Sequence, residues 1–287
     1  MSTSTITNPQ VRFRPMTTED LAYAHKLSSV LQWPHRLDDW HLMHSLSMGV
    51  AAEDNSGLFG TAFCCPQGDY ASIGLVIIDG PHQGRGLGRA LMEQALAAAG
   101  SRIPLLVATE QGAPLYASQG FVIYERIYQH QTPCAPAIVA PIPVGEQLTL
   151  LTNKDYPRLT ELACMASGTD RTLIITALLD IAQAVVGIER TGEIVGFALL
   201  RPFGRGMTIG PVVAENSTQA KALIATLLTQ AAGQYIRLDV TQQSGLGSWL
   251  TECGIPQVDS VAQMAKGSPP QAQGGVTQMA LATQALC

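Results

Sequence analysis

The sequence predicts an α/β protein built from two similar domains, each with a mixed, twisted sheet flanked by helices. Three observations lead to this prediction. The chain has 287 residues, which is about two domains of ordinary size. Within residues 71–99, an apolar strand runs into a glycine-rich turn and then into a helix. The spacing of strands, helices and glycines in the first half recurs in the second half.

Composition and charge argue against several classes of protein. Hydrophobic residues make up 46% of the chain and charged residues 14%, which is typical of a globular protein. The net charge is −5 and no long basic run occurs, so nucleic acid is not an expected partner. No apolar stretch reaches the roughly 18 residues that are needed to cross a membrane. The sequence therefore predicts a cytoplasmic protein without a membrane partner.

The six cysteines favour reduced thiols. Cys64 and Cys65 lie inside an apolar, strand-like run, and no pair has CxxC or Cys/His metal spacing. The even count leaves disulfides open, but the N-terminus has no secretory apolar core. We therefore expect cytoplasmic thiols and no metal site.

Local patterns define the elements before the glycine-rich turn. Residues 1–10 are polar and are expected to be frayed. Alternation of apolar and polar residues predicts a strand, and a capping cluster ahead of helically spaced apolar residues predicts a helix. A polar turn between two apolar runs predicts a hairpin. In chain order these are a strand at 11–15, a helix after residues 17–20, a hairpin of 49–52 with 58–65, and a central strand at 71–78.

The turn from Gln83 to Gly88 has the features of an anion site. It lies between a strand and a helix, where free backbone N–H groups and the positive helix end favour phosphate. A dinucleotide fingerprint fails because its third glycine is replaced by Arg89, and no Gly-Lys-Ser/Thr follows. The pattern that remains is Gln83-x-x-Gly86-x-Gly88.

A second motif follows at the expected distance. After a strand at 103–108, the chain carries Leu115-Tyr116-Ala117-Ser118-Gln119-Gly120-Phe121. Together, the glycine-rich turn and this L-Y-x-x-x-G-F segment resemble the two signatures of the GNAT superfamily of acetyl-CoA-dependent N-acetyltransferases. The resemblance covers roughly residues 11–130. It implies that Tyr116 protonates the departing CoA thiolate as general acid.

The resemblance also implies how CoA is bound. The backbone of Ile78 should hydrogen-bond the pantetheine arm, and its strand should splay from the next one to admit the thioester. Arg85 or Arg89 would add charge-assisted phosphate contacts. The expected pyrophosphate site consists of Gln83, Gly84, Arg85, Gly86, Leu87 and Gly88.

The general base is left open by a departure from the family pattern. Many relatives carry an asparagine several residues before the tyrosine, where this chain has Thr109-Glu110-Gln111-Gly112. Glu110 is the best positional candidate, and Asp79 is another. Either carboxylate also fits a solvated position at a strand end.

The second half resembles a degenerate copy of the first. Gly60 and Gly74 have counterparts at Gly196 and Gly210, and the surrounding apolar pattern repeats. Residues 214–219 replace the glycine-rich turn without any glycine, and Leu250 stands in place of the tyrosine. We expect this half to keep the fold without binding CoA productively. It would then cover a sheet edge or close one side of the acceptor pocket.

The acceptor end is predicted from an unusual segment. Trp33, His35 and Arg36 lie close to a second tryptophan, Trp40, and two carboxylates. Aromatic walls could hold an amine, Arg36 a carboxylate, and His35 could orient or deprotonate the amine. The alternative is that the tryptophans are core residues on one helix face. From the second half, Asp170-Arg171, Arg201 and Arg205 could reach the pocket or form surface pairs.

The sequence thus predicts an enzyme with three segments: a catalytic domain at 1–130, a proline-rich linker at 131–147 and a degenerate GNAT-like domain at 148–287. The predicted reaction is direct transfer of the acetyl group of acetyl-CoA to a small-molecule amine. The acceptor remains open among amino acids, polyamines, aminoglycosides and peptide N-termini, and a homodimer is allowed. The alternatives are a non-catalytic acyl-CoA sensor and a regulatory or scaffolding module.

Overall fold

The computed structural model describes residues 11–287, so the expected fraying of residues 1–10 lies outside the described part. A sheet with helices on both faces forms the molecule. The strands are β1 Arg12–Pro15, β2 Met48–Asp54, β3 Gly57–Gln67, β4 Tyr70–Ile78, β5 Ile103–Ala108, β6 Val122–Thr132, β7 Glu146–Leu150, β8 Ala184–Arg190, β9 Glu193–Phe203, β10 Gly206–Ala214, β11 Ile236–Thr241, β12 Gln257–Ala265 and β13 Thr277–Ala280. The α-helices are α1 Leu21–Val30, α2 Leu37–Leu46, α3 Leu87–Ala99, α4 Ala113–Ser118, α5 Tyr156–Ser167, α6 Thr172–Asp180, α7 Ser217–Gln230 and α8 Gly247–Glu252.

The two halves share a single sheet, contrary to the expectation that each half would have its own. Its 13 strands run in the order β1-β2-β3-β4-β5-β12-β6-β11-β13-β10-β9-β8-β7. The mixed α/β class and the predicted hairpin, β2 with β3, are confirmed. The difference arises because strand pairing crosses between the halves at the centre of the sheet.

The crossing is an exchange of the sixth strands. β12 pairs antiparallel with β5 of the first half, with Ala262 opposite Ala108. β6 in turn pairs antiparallel with β11 of the second half, with Ile127 opposite Thr241. β6 ends at Thr132 and β7 begins at Glu146, so the proline-rich connection lies between them. The exchange joins the halves through backbone hydrogen bonds as well as through side-chain packing.

A helical layer on one face carries a core common to both halves. Side chains from α1 and α2 meet those from α5 and α6 in one apolar cluster. Trp40 is fully buried there, and its indole Nε1 donates to Ser28 Oγ at 3.2 Å. On the other face, α3 covers the first half and α7 covers the second half with separate clusters. Burial of these apolar faces is the main stabilising contribution in such a layered fold.

No helix within residues 11–287 is both long enough and apolar enough to span a bilayer.

Candidate active site

The cleft of the first half opens where β4 and β5 separate. These parallel strands pair from Tyr70 opposite Ile103 only as far as Ile73 opposite Leu106. Beyond that point the β3–β4 register shifts, and Leu75 adopts a left-handed φ of 50°. Thr61 Oγ1 donates to the Leu75 carbonyl at 2.8 Å and holds this bulge. The expected splay is present, and it encloses a cleft of about 390 Å³.

The glycine-rich turn lines this cleft through Gln83, Gly84 and Gly88. Gly84 and Gly86 have φ angles of 74° and 78°, in the left-handed region that favours glycine. A Cβ at either position would meet no atom within 4 Å, so backbone conformation alone calls for glycine there. α3 starts at Leu87 with no side-chain cap on Gly86. Its first-turn amides therefore have no intrahelical partners and can bind an anion.

The side chains around the turn have distinct positions. Gln83 Nε2 donates to the carbonyl of Ile78 at 2.8 Å, so the atom expected to meet pantetheine already accepts one hydrogen bond. Arg85 is exposed on the turn. Arg89 Nη2 donates instead to Ser118 Oγ at 2.9 Å and so ties α3 to α4. Of the two arginines, Arg85 is the better placed for phosphate.

A buried histidine anchors the start of the turn. His82 Nδ1 lies 2.5 Å from Asp79 Oδ1, and Nε2 lies 3.1 Å from Asp54 Oδ2. Its ring stacks on Phe59 with centroids 4.1 Å apart. Burial opposes protonation, but the hydrogen bonds of the two carboxylates outweigh it, and the pKa of His82 is raised. Because Asp79 is engaged in this anchor, the structure gives it no position as general base.

Tyr116 lies on α4 and lines the cleft together with Leu115. Its ring is 9% exposed and packs edge-to-face on Phe121, with centroids 6.1 Å apart. Burial raises the pKa of Tyr116 to about 12. The phenol is therefore protonated at neutral pH, as a general acid must be.

Glu110 does not join the cleft. It is exposed on the turn between β5 and α4, whereas its neighbours Thr109 and Gln111 line the cavity. The sequence placed Glu110 correctly at the end of its strand, but the turn directs it to solvent. This geometry does not support Glu110 as general base.

A second cavity, of about 140 Å³, adjoins the first. The two share Trp33, the β4 residues Gly74 and Leu75, Val107 of β5, and Thr109, which follows β5 directly. None of the glycine-rich turn lines the second cavity. The strand splay thus connects the cleft with a separate small chamber, which we call the acceptor chamber because it contains part of the predicted acceptor segment.

Some residues of the predicted acceptor segment line the acceptor chamber, and others are structural. Trp33 and His35 line the acceptor chamber, and His35 meets Phe203 edge-to-face with centroids 5.4 Å apart. Burial, and then the nearby Arg237, lowers the pKa of His35 to about 4, so its imidazole is neutral. Trp40 is a core residue, as the alternative interpretation held.

Arg36 is a structural residue. Its Nη2 donates to Asp39 at 2.8 Å and to the carbonyl of Pro202 at 3.2 Å. Asp39 also accepts from the amide of Gly204 at 3.1 Å. The predicted role of Arg36 in binding a carboxylate is therefore not supported, because the guanidinium is already used to join α2 to the β9–β10 turn.

The second half supplies six chamber residues that the sequence analysis missed: Phe203, Arg237, Asp259, Thr283, Gln284 and Ala285. Arg201 lies behind Phe203, with its guanidinium 5.4 Å from that ring, and donates to the carbonyl of Ala282. Arg171 is buried elsewhere against the carbonyl of Leu286 at 2.7 Å. The sequence carried one signal for Arg237. Arg237 and Asp239 have opposite charges, lie two residues apart in an otherwise apolar strand, and therefore lie on the same face of that strand.

The equivalent positions of the second half are occupied by its own strand and side chains. β13 lies between β10 and β11, where the first half has its splay. At the start of α7, Asn216 Oδ1 accepts from the Gln219 amide at 3.0 Å, and Gln219 Oε1 accepts from the Glu215 amide at 2.8 Å. Leu250, at the position of the tyrosine, is fully buried. Side chains of this half therefore occupy the groups that would otherwise bind phosphate.

Within the described residues, no group of three His, Cys, Asp or Glu side chains is arranged to hold a metal ion.

A splayed parallel strand pair, an uncapped glycine-rich helix start and a protonated tyrosine meet at one cleft, and these are the features that the sequence predicted for an acetyltransferase. The acetyltransferase (GNAT) domain family matches residues 46–123 and, separately, residues 159–276. The chain belongs to the GNAT acetyltransferase family and has two such domains in tandem.

Similar proteins carry the same description. The uncharacterized N-acetyltransferase YitH of Bacillus subtilis is 26% identical over 195 residues, which are 67% of this chain and 68% of that protein. A putative acetyltransferase from Pyrococcus horikoshii has a TM-score of 0.78 at 18% identity, over 100% of this chain and 99% of that one. A tandem GNAT protein from the clavulanic acid biosynthesis pathway has a TM-score of 0.66 at 15% identity, over 92% and 100%. These structures share the fold.

Proposed function

We propose that the protein transfers the acetyl group of acetyl-CoA directly to the amine of a small molecule, using the first half as the catalytic site. The single observation behind this proposal is the splay between β4 and β5, which connects the cleft of Tyr116 and the glycine-rich turn to the acceptor chamber. A binding module for CoA alone would need neither the buried tyrosine nor the second chamber.

The residues of the first half fit the co-substrate. At Gly84 and Gly86 the space where a Cβ would stand is open, and the first amides of α3, which follow directly, have no side-chain cap. These amides hold the pyrophosphate, with Arg85 adding charge. When bound, acetyl-CoA supplies the thioester whose acetyl group is transferred. Gln83 releases the Ile78 carbonyl so that this carbonyl can bind the pantetheine amide.

The proton movements follow from the surroundings of each group. Tyr116 gives its proton to the departing sulfur, and its raised pKa keeps that proton in place until then. Backbone N–H groups at the β4 bulge orient the thioester carbonyl. The neutral imidazole of His35 accepts a hydrogen bond from the attacking amine. Asp259, the chamber's carboxylate, receives the amine proton, replacing Glu110 in that role.

The second half is proposed to shape the acceptor chamber and to bind no CoA. Three features support this role: β13 fills the gap between β10 and β11, side chains cap α7, and Leu250 replaces the tyrosine. We expect calorimetric titration with CoA to give one site per chain. Two equivalent sites would contradict the assignment.

The test of the transfer reaction is release of free thiol from acetyl-CoA in the presence of amino acids, polyamines, aminoglycosides or peptides. We expect release that depends on one class of amine, together with a mass increase of that amine by one acetyl group. CoA binding at one site without amine-dependent release across the panel would instead favour the sensor alternative.

A further inference from the structure

The acceptor chamber carries one cationic and one anionic side chain, and both come from the second half. Arg237 lies on β11 and Asp259 on β12. The strand exchange places these strands beside β6 and β5, so each charge reaches a chamber that opens on the first half's cleft. The chamber thus has opposite charges: Arg237 is buried, and Asp259 is exposed, with its Oδ1 accepting from the Ser260 amide at 2.7 Å.

Arg237 is held so that part of its guanidinium faces the chamber. Its Nε and Nη2 each donate to Asp239 at 3.0 Å, and both side chains are buried. The guanidinium carbon lies 5.4 Å from the Phe203 ring centroid, and Gln284 Nε2 donates to Asp239 at 3.1 Å. Nη1 donates to no protein atom within residues 11–287, and Arg237 lines the chamber. A pre-oriented guanidinium of this kind binds a carboxylate with little loss of side-chain entropy.

We propose that the acceptor is a small amino acid whose reacting amine and carboxylate are separated by a chain of several carbon atoms. Its carboxylate binds Arg237, and its amine lies beside Asp259 at the end nearer the cleft. Acetylation of this amino acid rests on the proposed acetyl transfer. Binding of the amino acid in the chamber does not.

The order of the strands sets the order of the two charges. β12 is the immediate neighbour of β5, whereas β11 is the third strand from it, after β12 and β6. Asp259 lies three residues beyond Ala262, which pairs with the end of β5, and Arg237 lies two residues further along β6 than Asp259. At about 4.8 Å per strand and 3.3 Å per residue, the backbones of Asp259 and Arg237 are therefore roughly 11 Å and 22 Å from the end of β5. Since β5 borders the cleft, the anionic side chain is nearer the transferred group. An acceptor that contacts both charges needs several atoms between its amine and its carboxylate.

The chamber's size restricts the acceptor further. A volume of about 140 Å³ is close to the roughly 150 Å³ of a cavity that holds benzene. The reacting end projects through the splay, so a linear acceptor of about seven to ten non-hydrogen atoms fits. Ala285 closes the chamber over Gly74, where a Cβ would come within 2.7 Å of the Ala285 carbonyl. Aminoglycosides are too large for this space.

The first test uses the unmodified protein and three acceptors of one length: 5-aminopentanoate, 5-aminopentanamide and pentylamine. We expect kcat/KM to be about tenfold to 100-fold higher for the carboxylate than for the amide, as for a lost hydrogen bond between charged groups. Glycine, in which one carbon separates the two groups, should be a poor acceptor. Equal kcat/KM for carboxylate and amide would overturn the inference while leaving the transfer reaction intact.

The second test removes the cation without leaving a buried carboxylate unpaired. In the double variant R237Q/D239N, the preference for carboxylate over amide should fall to within about threefold, with an unchanged Kd for CoA. Arg205→Gln, which removes an exposed arginine on the β9–β10 turn, is the matched control and should keep the preference. A double variant that keeps the full preference would contradict the role of Arg237. If the double variant does not fold, the comparison of acceptors on the unmodified protein decides.

A binding measurement separates failure of this inference from failure of the proposed function. We expect 5-aminopentanoate to bind the protein–CoA complex in calorimetry at least tenfold more tightly than the amide. If no amine is acetylated but this preference persists, the transfer reaction fails and the ligand class stands. Absence of the preference in binding refutes the ligand class whether or not any amine is turned over.

Discussion

Tyr116→Phe tests the chemistry of the first half most directly, because it removes one oxygen and leaves the ring. Burial raises the pKa of Tyr116 to about 12, so at pH 7 to 9 the lost group is a protonated acid. Positioned general acids contribute about 10² to 10⁴ in rate. We expect kcat to fall by that factor, which corresponds to about 3–5 kcal/mol of activation free energy.

Binding and stability should change little in Tyr116→Phe. The ring keeps its edge-to-face contact with Phe121, so the free energy of unfolding should change by less than about 1 kcal/mol. The Kd for CoA should stay within about twofold. Assays are thiol release with a saturating amine, calorimetry with CoA, and urea denaturation.

The matched control is Tyr124→Phe. Tyr124 is a second tyrosine with a buried hydroxyl that has no partner within residues 11–287, and it lies outside the cleft and the acceptor chamber. This control should keep full kcat. An unchanged kcat in Tyr116→Phe, or an equal loss in both variants, would refute the role of Tyr116 as general acid.

Three other predictions concern the turn and the segment around it. Gly86→Ala should cost about 1–2 kcal/mol of stability, because Gly86 has a left-handed φ, and should weaken CoA binding. The control Gly233→Ala, at a glycine with a φ of 80° and equally open space, should lose stability only. Equal CoA affinity of the two variants would contradict this. The pKa of His82 is raised in the folded state, so protonated His82 stabilises the fold fully below about pH 6.5 and loses this contribution as the pH rises through the folded pKa. The difference in Tm between the unmodified protein and His82→Gln should therefore shrink from pH 6 to 9. A difference that stays constant over this range would refute the reasoning. Arg36→Gln should lower the free energy of unfolding in urea by about 1–3 kcal/mol because Asp39 loses its partner, with little change in acceptor KM; the reverse pattern would return Arg36 to the acceptor site.

The catalytic features that the sequence predicted are short and local. The glycine pattern at 83–88 works through backbone conformation within six residues, and Tyr116 lies one turn into the helix that follows the next strand. Such features depend on neighbours in the chain, so their residue types carry the information. The acceptor segment was harder to interpret, because its residue types fit both a pocket and a core. Only packing separated His35, in the acceptor chamber, from Arg36 and Trp40, in the scaffold.

By itself the sequence determined the mixed α/β class, the family, the duplication and the absence of the glycine-rich turn from the second copy. Tertiary structure alone decided that β6 and β12 exchange, that β13 closes the second splay, and that Arg237 and Asp259 enter a chamber beside the first half. The physical reason is the range of each interaction. Capping, φ preference and helical periodicity act over a few residues. Strand order, in contrast, depends on which of many similar apolar strands pair with one another in the folded sheet. Those pairings join residues more than 100 positions apart, as Ala108 and Ala262 illustrate.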